Sequence, residues 1–397
     1  MSNNQRQTAL TQQTALFSLM FLPGISWSSW VSRTPAMRDI LQASVETMGM
    51  ILFGFSCGSM AGILLAGKLI NHYGIRPVMT GGYFLLLSGL LVLALSLNLQ
   101  SVVLAFSALA LFGFGTGIAD ICINIEASAF ERLQKKPIMT ILHGFFSCGT
   151  LVGALAGMLL THLQLAPEWH FTLIFVLAGL CVLPLIKRLG WHSEQEIISN
   201  THHDSYLTQV VSALRDKRLL LLSVVILAMA LAEGAANDWV PLLMTDAYHF
   251  SHSSGVLVYV GFTAGMTLGR FIGGSFVRRF GRVLMLRFSA LSAITGLLLI
   301  VFSASQWLAA VAVLLWGIGA SLGFPLTLSA AGEGNNSNIR VTIAATVGYV
   351  AFLAGPPLLG ITGQHAGLKM AMLPVLLMVT LAFFCTSAAS HPPKPSP

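Results

Sequence analysis

Gly67-Lys68-Leu69-Ile70-Asn71-His72-Tyr73-Gly74-Ile75-Arg76 is a short basic stretch between long apolar runs, and Gly273-Gly274-Ser275-Phe276-Val277-Arg278-Arg279-Phe280-Gly281-Arg282 is a second version of it. Aligned, Gly67 meets Gly274, Leu69 meets Phe276, Tyr73 meets Phe280 and Gly74 meets Gly281, each 207 residues apart. Glu126 and Glu333 keep the same offset of 207, and Arg132 and Arg340 follow them by six and seven residues. One offset shared by several polar positions in an otherwise apolar chain marks an internal duplication. The chain therefore reads as two copies of one structural unit.

The surroundings of these stretches say what the unit is made of. Of 397 residues, 55% are hydrophobic and only 9% are Asp, Glu, Lys or Arg, against about 25% charged in a soluble domain. A mean hydropathy of +0.79 excludes disorder and points to a polytopic membrane protein. A helix rising 1.5 Å per residue crosses about 30 Å of hydrocarbon with about 20 residues. That length predicts twelve spans, at 14–35, 47–70, 77–98, 101–127, 138–162, 169–188, 218–244, 253–277, 283–304, 307–331, 339–363 and 368–388. The domain reading follows: an N-terminal six-helix half (1–188), a cytoplasmic central loop (189–217), a C-terminal six-helix half (218–388) and a disordered Pro-rich tail (389–397).

Basic residues set the orientation. With the N-terminus cytoplasmic, Arg33, Arg38 and Lys369 fall outside and Arg270 falls within a span, while all the remaining Lys and Arg of the 21 fall inside. The expectation is a multi-pass protein of the cell inner membrane with both termini cytoplasmic. The net charge of +7 is then a topology signal, and no nucleic-acid partner is implied. Cys57, Cys122, Cys148, Cys181 and Cys385 lie in apolar runs without metal-ligand spacing and read as packing residues. No cleavable leader, nucleophile elbow, P-loop or dinucleotide fingerprint is evident, so no enzyme, metal or cofactor is expected.

The two loop stretches, with Gly149, Gly153 and Gly157 in span 5 and Gly355-Pro356-Pro357-Leu358-Leu359-Gly360 in span 11, resemble the major facilitator superfamily over essentially the whole chain. That family's loop pattern is Gly-x-Leu-x-Asp-Arg-x-Gly-Arg, and Asn71 and Arg278 replace its Asp in the two copies. Trp30-Val-Ser-Arg33-Thr-Pro35, Asp120-Ile-Cys-Ile-Asn124, Ala232-Glu233-Gly-Ala-Ala-Asn237-Asp238-Trp239 and Gly317-Ile-Gly-Ala-Ser-Leu-Gly-Phe-Pro325 are similar to the fucose-permease-like branch, and closest to the YbjJ-like bacterial inner-membrane proteins. The resemblance implies an all-α fold of twelve transmembrane helices in two pseudo-symmetric halves. Spans 1, 4, 7 and 10 would line a central cavity, and 3, 6, 9 and 12 would face lipid. It also implies a functional carboxylate at Asp120, four residues before Asn124, while Val31 stands where that branch has an acid in span 1.

Ionisable residues at membrane depth normally face a cavity or a partner, and those expected inside spans are Arg33, Asp120, Glu126, His143, Glu233, Asp238 and Arg270, with none in the interiors of spans 3, 6, 9 and 12. Glu233, with Asn237 four residues on and on the same helical face, is the first candidate for proton coupling, then Asp120 and His143; fixed ion pairing or packing is the plainer alternative for each. Asn124, Asn237, Trp27, Trp316 and Tyr349 are candidate substrate contacts, by hydrogen bonding or ring stacking. Arg33 and Asp238 are candidates for an outer gate. The resemblance places Asn71, Arg76, Glu126, Arg132, Arg270, Arg279, Arg282, Glu333 and Arg340 in a cytoplasmic charge network that locks an inner gate. Arg270 is expected to pair with a carboxylate of the C-terminal half.

The reading is a proton-coupled secondary transporter of a small polar solute, for instance a sugar, working by rocking of its halves in the bilayer as a monomer. A proton-driven exporter of amphipathic compounds uses the same acids, and a non-transporting sensor or scaffold would need a larger loop or tail than this chain has.

Overall fold

Gly74 and Gly281, the aligned glycines of the two loop stretches, adopt the same backbone, with φ 83° and ψ 159° at the first and φ 82° and ψ 159° at the second. Only glycine enters that region freely. Each lets one helix end and the next begin across a single residue: Val45–Tyr73 gives way to Ile75–Asn98, and His252–Phe280 to Arg282–Phe302. The duplication read from sequence is thus a duplication of geometry.

The computed structural model describes residues 3–134, 138–191, 213, 215–333 and 337–390. The central loop expected at 189–217 and the tail expected at 389–397 lie mostly outside the described residues. Among those described there is no strand, and 12 helices are long and apolar enough to cross a membrane. In order, spans 1 to 12 are Ala9–Val31, Val45–Tyr73, Ile75–Asn98, Val102–Gln134, Ile141–His162, Pro167–Ile186, Lys217–Tyr248, His252–Phe280, Arg282–Phe302, Gln306–Ala331, Ile339–Ala366 and Leu368–Ala389. Polar caps define several starts: Ser44 accepts from the Thr47 backbone N–H at 3.1 Å before span 2, and Asp216 accepts from the Arg218 N–H at 2.8 Å before span 7.

Two compact units are present, Met1–Asn200 with His252–Val260, and Thr201–Ser251 with Gly261–Pro397. In the first, span 1 packs on spans 5 and 6, span 3 on spans 4 and 6, and span 2 on span 4. Small residues permit this closeness. A Cβ at Gly54, Gly58 or Gly62 would meet the Phe106, Ala110 or Phe114 carbonyl, and one at Gly149 or Gly153 would meet the Phe21 or Ile25 carbonyl. In the second unit, span 7 packs on spans 11, 12 and 10, and span 9 on spans 10 and 12. The pairings 1 with 5, 1 with 6, 3 with 4 and 3 with 6 recur as 7 with 11, 7 with 12, 9 with 10 and 9 with 12. The sequence places the whole of span 8 in the C-terminal half. Its opening segment His252–Val260 groups with the first unit instead, where Tyr259 Oη lies 3.4 Å from Ser28 Oγ and His252 Nε2 3.2 Å from Asp39 Oδ2.

Of the helix ends that differ from the expected bounds, two move candidate residues. Span 1 stops at Val31 rather than running through Pro35, because Pro35 belongs to the first turn of a new helix, Thr34–Leu41, where its missing N–H is tolerated. Arg33 is the N-cap of that short helix. Span 7 continues to Tyr248, so Asp238 lies ten residues, about 15 Å, inside the end of the helix.

Candidate functional site

In the first unit, span 4 carries the polar centre. Its Asn124 stands one helical turn after Asp120, so the amide reaches back: Nδ2 donates to the Asp120 backbone oxygen at 2.8 Å and to its Oδ1 at 3.1 Å. Among the described residues the Asp120 carboxylate has no cationic partner within ion-pair distance. On span 3, buried Tyr83 uses its hydroxyl on the Leu19 carbonyl at 2.8 Å. Trp27 is half-buried and stands edge-on to Phe55, ring centres 4.2 Å apart, in a cluster completed by Trp30 and Phe112. His143 is on an exposed face of span 5.

At the end of the same unit expected to be cytoplasmic, Glu126 is buried, Asn71 and Arg132 are exposed, Arg132 Nη1 lies on Ser128 Oγ at 2.8 Å, and the Arg76 guanidinium is 5.8 Å from the Trp191 ring centre. Glu131 was not singled out in the sequence, yet its Oε2 accepts the Ile138 and Met139 backbone N–H groups at 2.7 and 3.0 Å and so caps the helix of span 5.

At the other end of this unit, Arg33 is 3% exposed and its Nε donates to His170 Nδ1 at 3.1 Å. His170 lies in the first turn of span 6 and is fully buried. The expectation of no ionisable residue inside span 6 passed over it, since it stands at the rim of the 169–188 run.

In the second unit, Arg270 of span 8 donates from Nη2 to Glu233 Oε1 of span 7 at 3.0 Å, with both side chains largely buried. Asn237 is half-buried one turn beyond Glu233. Asp238 is 8% exposed and makes no hydrogen bond or ion pair among the described residues. Trp316 is wholly buried, edge-on to Phe262 with centroids 6.0 Å apart, and its indole N–H has no partner among the described residues; Tyr349 is half-buried on span 11.

The end of the second unit that carries Arg282 and Glu333 is densely paired. Arg282 holds Glu333 with two bonds, Nη1 to Oε1 at 2.8 Å and Nη2 to Oε2 at 2.9 Å, and Arg218 adds a third at 3.0 Å. Arg282 Nε also donates to the Ala389 carbonyl at 2.7 Å, and Arg218 to those of Ala388 and Ser390 at 3.0 Å each. Arginines thus close the C-terminal end of span 12, where unpaired carbonyls gather. Arg340 bonds Asp216 and the Ala331 carbonyl, and Arg279 lies over the Phe280 ring at 5.3 Å. Burial alone would raise the Asp216 carboxyl, but hydrogen bonds from Arg340 and the Arg218 N–H, with the Arg340 charge, hold it below the usual carboxylate range.

The sequence profile of the Major Facilitator Superfamily matches residues 15–336. An uncharacterised MFS-type transporter of Yersinia pestis is 29% identical over 381 residues, 95% of this chain and 95% of that one. Among solved structures, a point mutant of the nucleoside transporter NupG superposes with a TM-score of 0.74 at 13% identity, covering 95% of this chain and 99% of its own. A variant of the E. coli fucose:proton symporter FucP gives 0.59 at 16% identity, covering 96% and 100%. At such identities both structures speak for the fold.

Proposed function

The chain belongs to the Major Facilitator Superfamily, and on that footing we propose that it is a secondary active transporter carrying a small polar solute across the inner membrane, coupled to protons, by alternating access of its two halves. The observation that carries proton coupling is the Asp120 carboxylate, at membrane depth in span 4 and bonded to the Asn124 amide. A carboxylate whose partner is neutral can gain or lose a proton without stranding an opposite charge. Within the first unit, Asn124 offers an amide to hydroxyls and half-buried Trp27 offers a ring face. The nucleoside and fucose:proton transporters that share the fold support a polar solute of that size.

Glu233 takes a different part in this reading. Its pairing with Arg270 joins spans 7 and 8 within one unit, which suits a strut or a switch that opens once per cycle. The test is a thermal-stabilisation screen of the purified protein with neutral sugars, nucleosides, sugar acids and cationic amphiphiles, followed by proton uptake into vesicles on adding each hit. A polar solute that both stabilises the protein and moves protons is the expected result. Stabilisation by cationic amphiphiles alone would favour an exporter, and no hit in any class would sink the reading.

A further inference from the structure

The end of the second unit that carries Arg282 and Glu333 holds more arginines than its described acids pair. Glu333 is shared by Arg282 and Arg218, and Asp216 is taken by Arg340. Arg278, Arg279 and Arg287 are exposed and have no carboxylate within ion-pair distance among the described residues. Their contacts leave most of their donors open. Arg278 Nη2 donates to Ser275 Oγ at 3.0 Å, one turn back on its own helix, Arg287 Nε reaches Thr386 Oγ1 only at 3.4 Å, and the Arg279 guanidinium stands 5.3 Å from the Phe280 ring centre. A guanidinium carries five N–H donors in a planar fork that matches a phosphate in shape and charge.

The duplication shows that the loop does not require these three charges. At the offset of 207, Arg278, Arg279 and Arg287 stand where the first copy has Asn71, His72 and Thr80, and a helix pair of the same geometry forms there without them. Beside the charges lies an apolar face that the described protein leaves open. Phe276 and Phe280, one turn apart, stack with ring centres 6.1 Å apart, yet both stay exposed, as does Phe288 next to Arg287. All of these residues gather where span 8 ends and span 9 begins across Gly281 alone. Arg287 is five residues, about 7.5 Å of helix, from the start of span 9. At the end of a span a long basic side chain reaches the headgroup level of a bilayer, while the rings beside it meet acyl chains.

We propose that Arg278, Arg279 and Arg287, with the exposed rings of Phe276, Phe280 and Phe288, form a binding surface for an anionic phospholipid, its phosphate on the guanidinium forks and its acyl chains along the rings. A zwitterionic lipid brings a cation that these arginines repel, and a free phosphate has no use for the rings. The surface stands independently of the solute and of proton coupling through Asp120.

The test uses the purified full chain in a neutral detergent, titrated with dioleoylphosphatidylglycerol or dioleoylphosphatidylcholine while the melting temperature is read. Phosphatidylglycerol is expected to raise it saturably, by at least about 2 °C more than phosphatidylcholine does. The triple variant Arg278→Gln, Arg279→Gln, Arg287→Gln should need at least about 10-fold more phosphatidylglycerol for half-saturation. The same three positions changed to Lys should give an intermediate value, because the charge is kept and the fork is lost. A second triple variant, Lys68→Gln, Lys187→Gln, Arg188→Gln, removes exposed cations from the first unit and should stay within about 2-fold of the wild type. Equal responses to the two lipids would overturn the surface, since no anionic headgroup is then preferred. Equal losses in the two Gln variants would overturn it too, reducing it to a general attraction between basic protein and acidic lipid. An equal rise with glycerol phosphate at the same concentration would do the same, by leaving the rings without a part. If the arginine-to-Gln variant does not fold, the two lipids and glycerol phosphate on the wild type still decide.

Discussion

Asp120 in the first unit and Glu233 in the second are both carboxylates held at membrane depth on long helices, but their partners differ in kind. Asp120 is bonded at 3.1 Å by the amide of Asn124, one turn along its own helix. Glu233 is bonded at 3.0 Å by the guanidinium of Arg270, on another helix. Adding a proton to Asp120 cancels a charge whose partner is neutral. Adding one to Glu233 removes the negative half of its pair with Arg270. The proposed function asks for a titrating carrier and a structural lock, which call for different neighbours, and Asp120 and Glu233 have neighbours of those two kinds.

The comparison can be sharpened at the Glu233 side first, where the largest stability effect is expected. Arg270→Ala strands a buried carboxylate and should cost about 3 kcal/mol, read as denaturant or thermal stability in detergent. The double change Glu233→Gln with Arg270→Gln should cost less than the sum of the two single ones; additive losses would mean the pair does not act as a unit. Asn124→Ala comes next: it removes one amide donor shared between the Asp120 backbone oxygen and carboxylate and should cost about 1 kcal/mol. A loss as large as that of Arg270→Ala would erase the contrast between the two sites.

The smallest effect concerns Asp216, whose carboxyl Arg340 and the Arg218 N–H hold below its ordinary range. Because the folded-state value lies below the unfolded one, its stabilisation is present above the ordinary carboxylate range and is lost as pH falls through the lowered value. Its side chain is 33% exposed, so screening keeps the contribution below about 1 kcal/mol. Asp216→Asn should flatten the acid limb of a stability-against-pH curve slightly, and an unchanged curve would remove that contribution.

Local pattern carried most of the fold. The 207-residue offset that aligned Gly74 with Gly281 foretold two glycines in one unusual backbone conformation, and apolar run length found all the spans. The resemblance singled out Asp120 and Asn124, and their four-residue spacing accounts for the bond between them, since such neighbours share a helix face. What stayed hidden is long-range. The Glu333 to Arg218 pair joins residues 115 apart, and Arg33 to His170 joins residues 137 apart; nothing in either local sequence marks the other. Arg33 was misplaced in its helix because run length alone carried span 1 through Pro35, whose ring starts a new helix. Glu131 was overlooked because an acid at an inner loop reads as solvated surface until the chain folds back to meet it.

The central claim is that protons travel by way of Asp120. It is tested most directly by measuring solute uptake in proteoliposomes, with and without an imposed pH gradient, for the wild type and Asp120→Asn. The prediction is that Asp120→Asn loses gradient-driven accumulation entirely and keeps solute exchange at equal pH. Undiminished accumulation by Asp120→Asn under a pH gradient would contradict it.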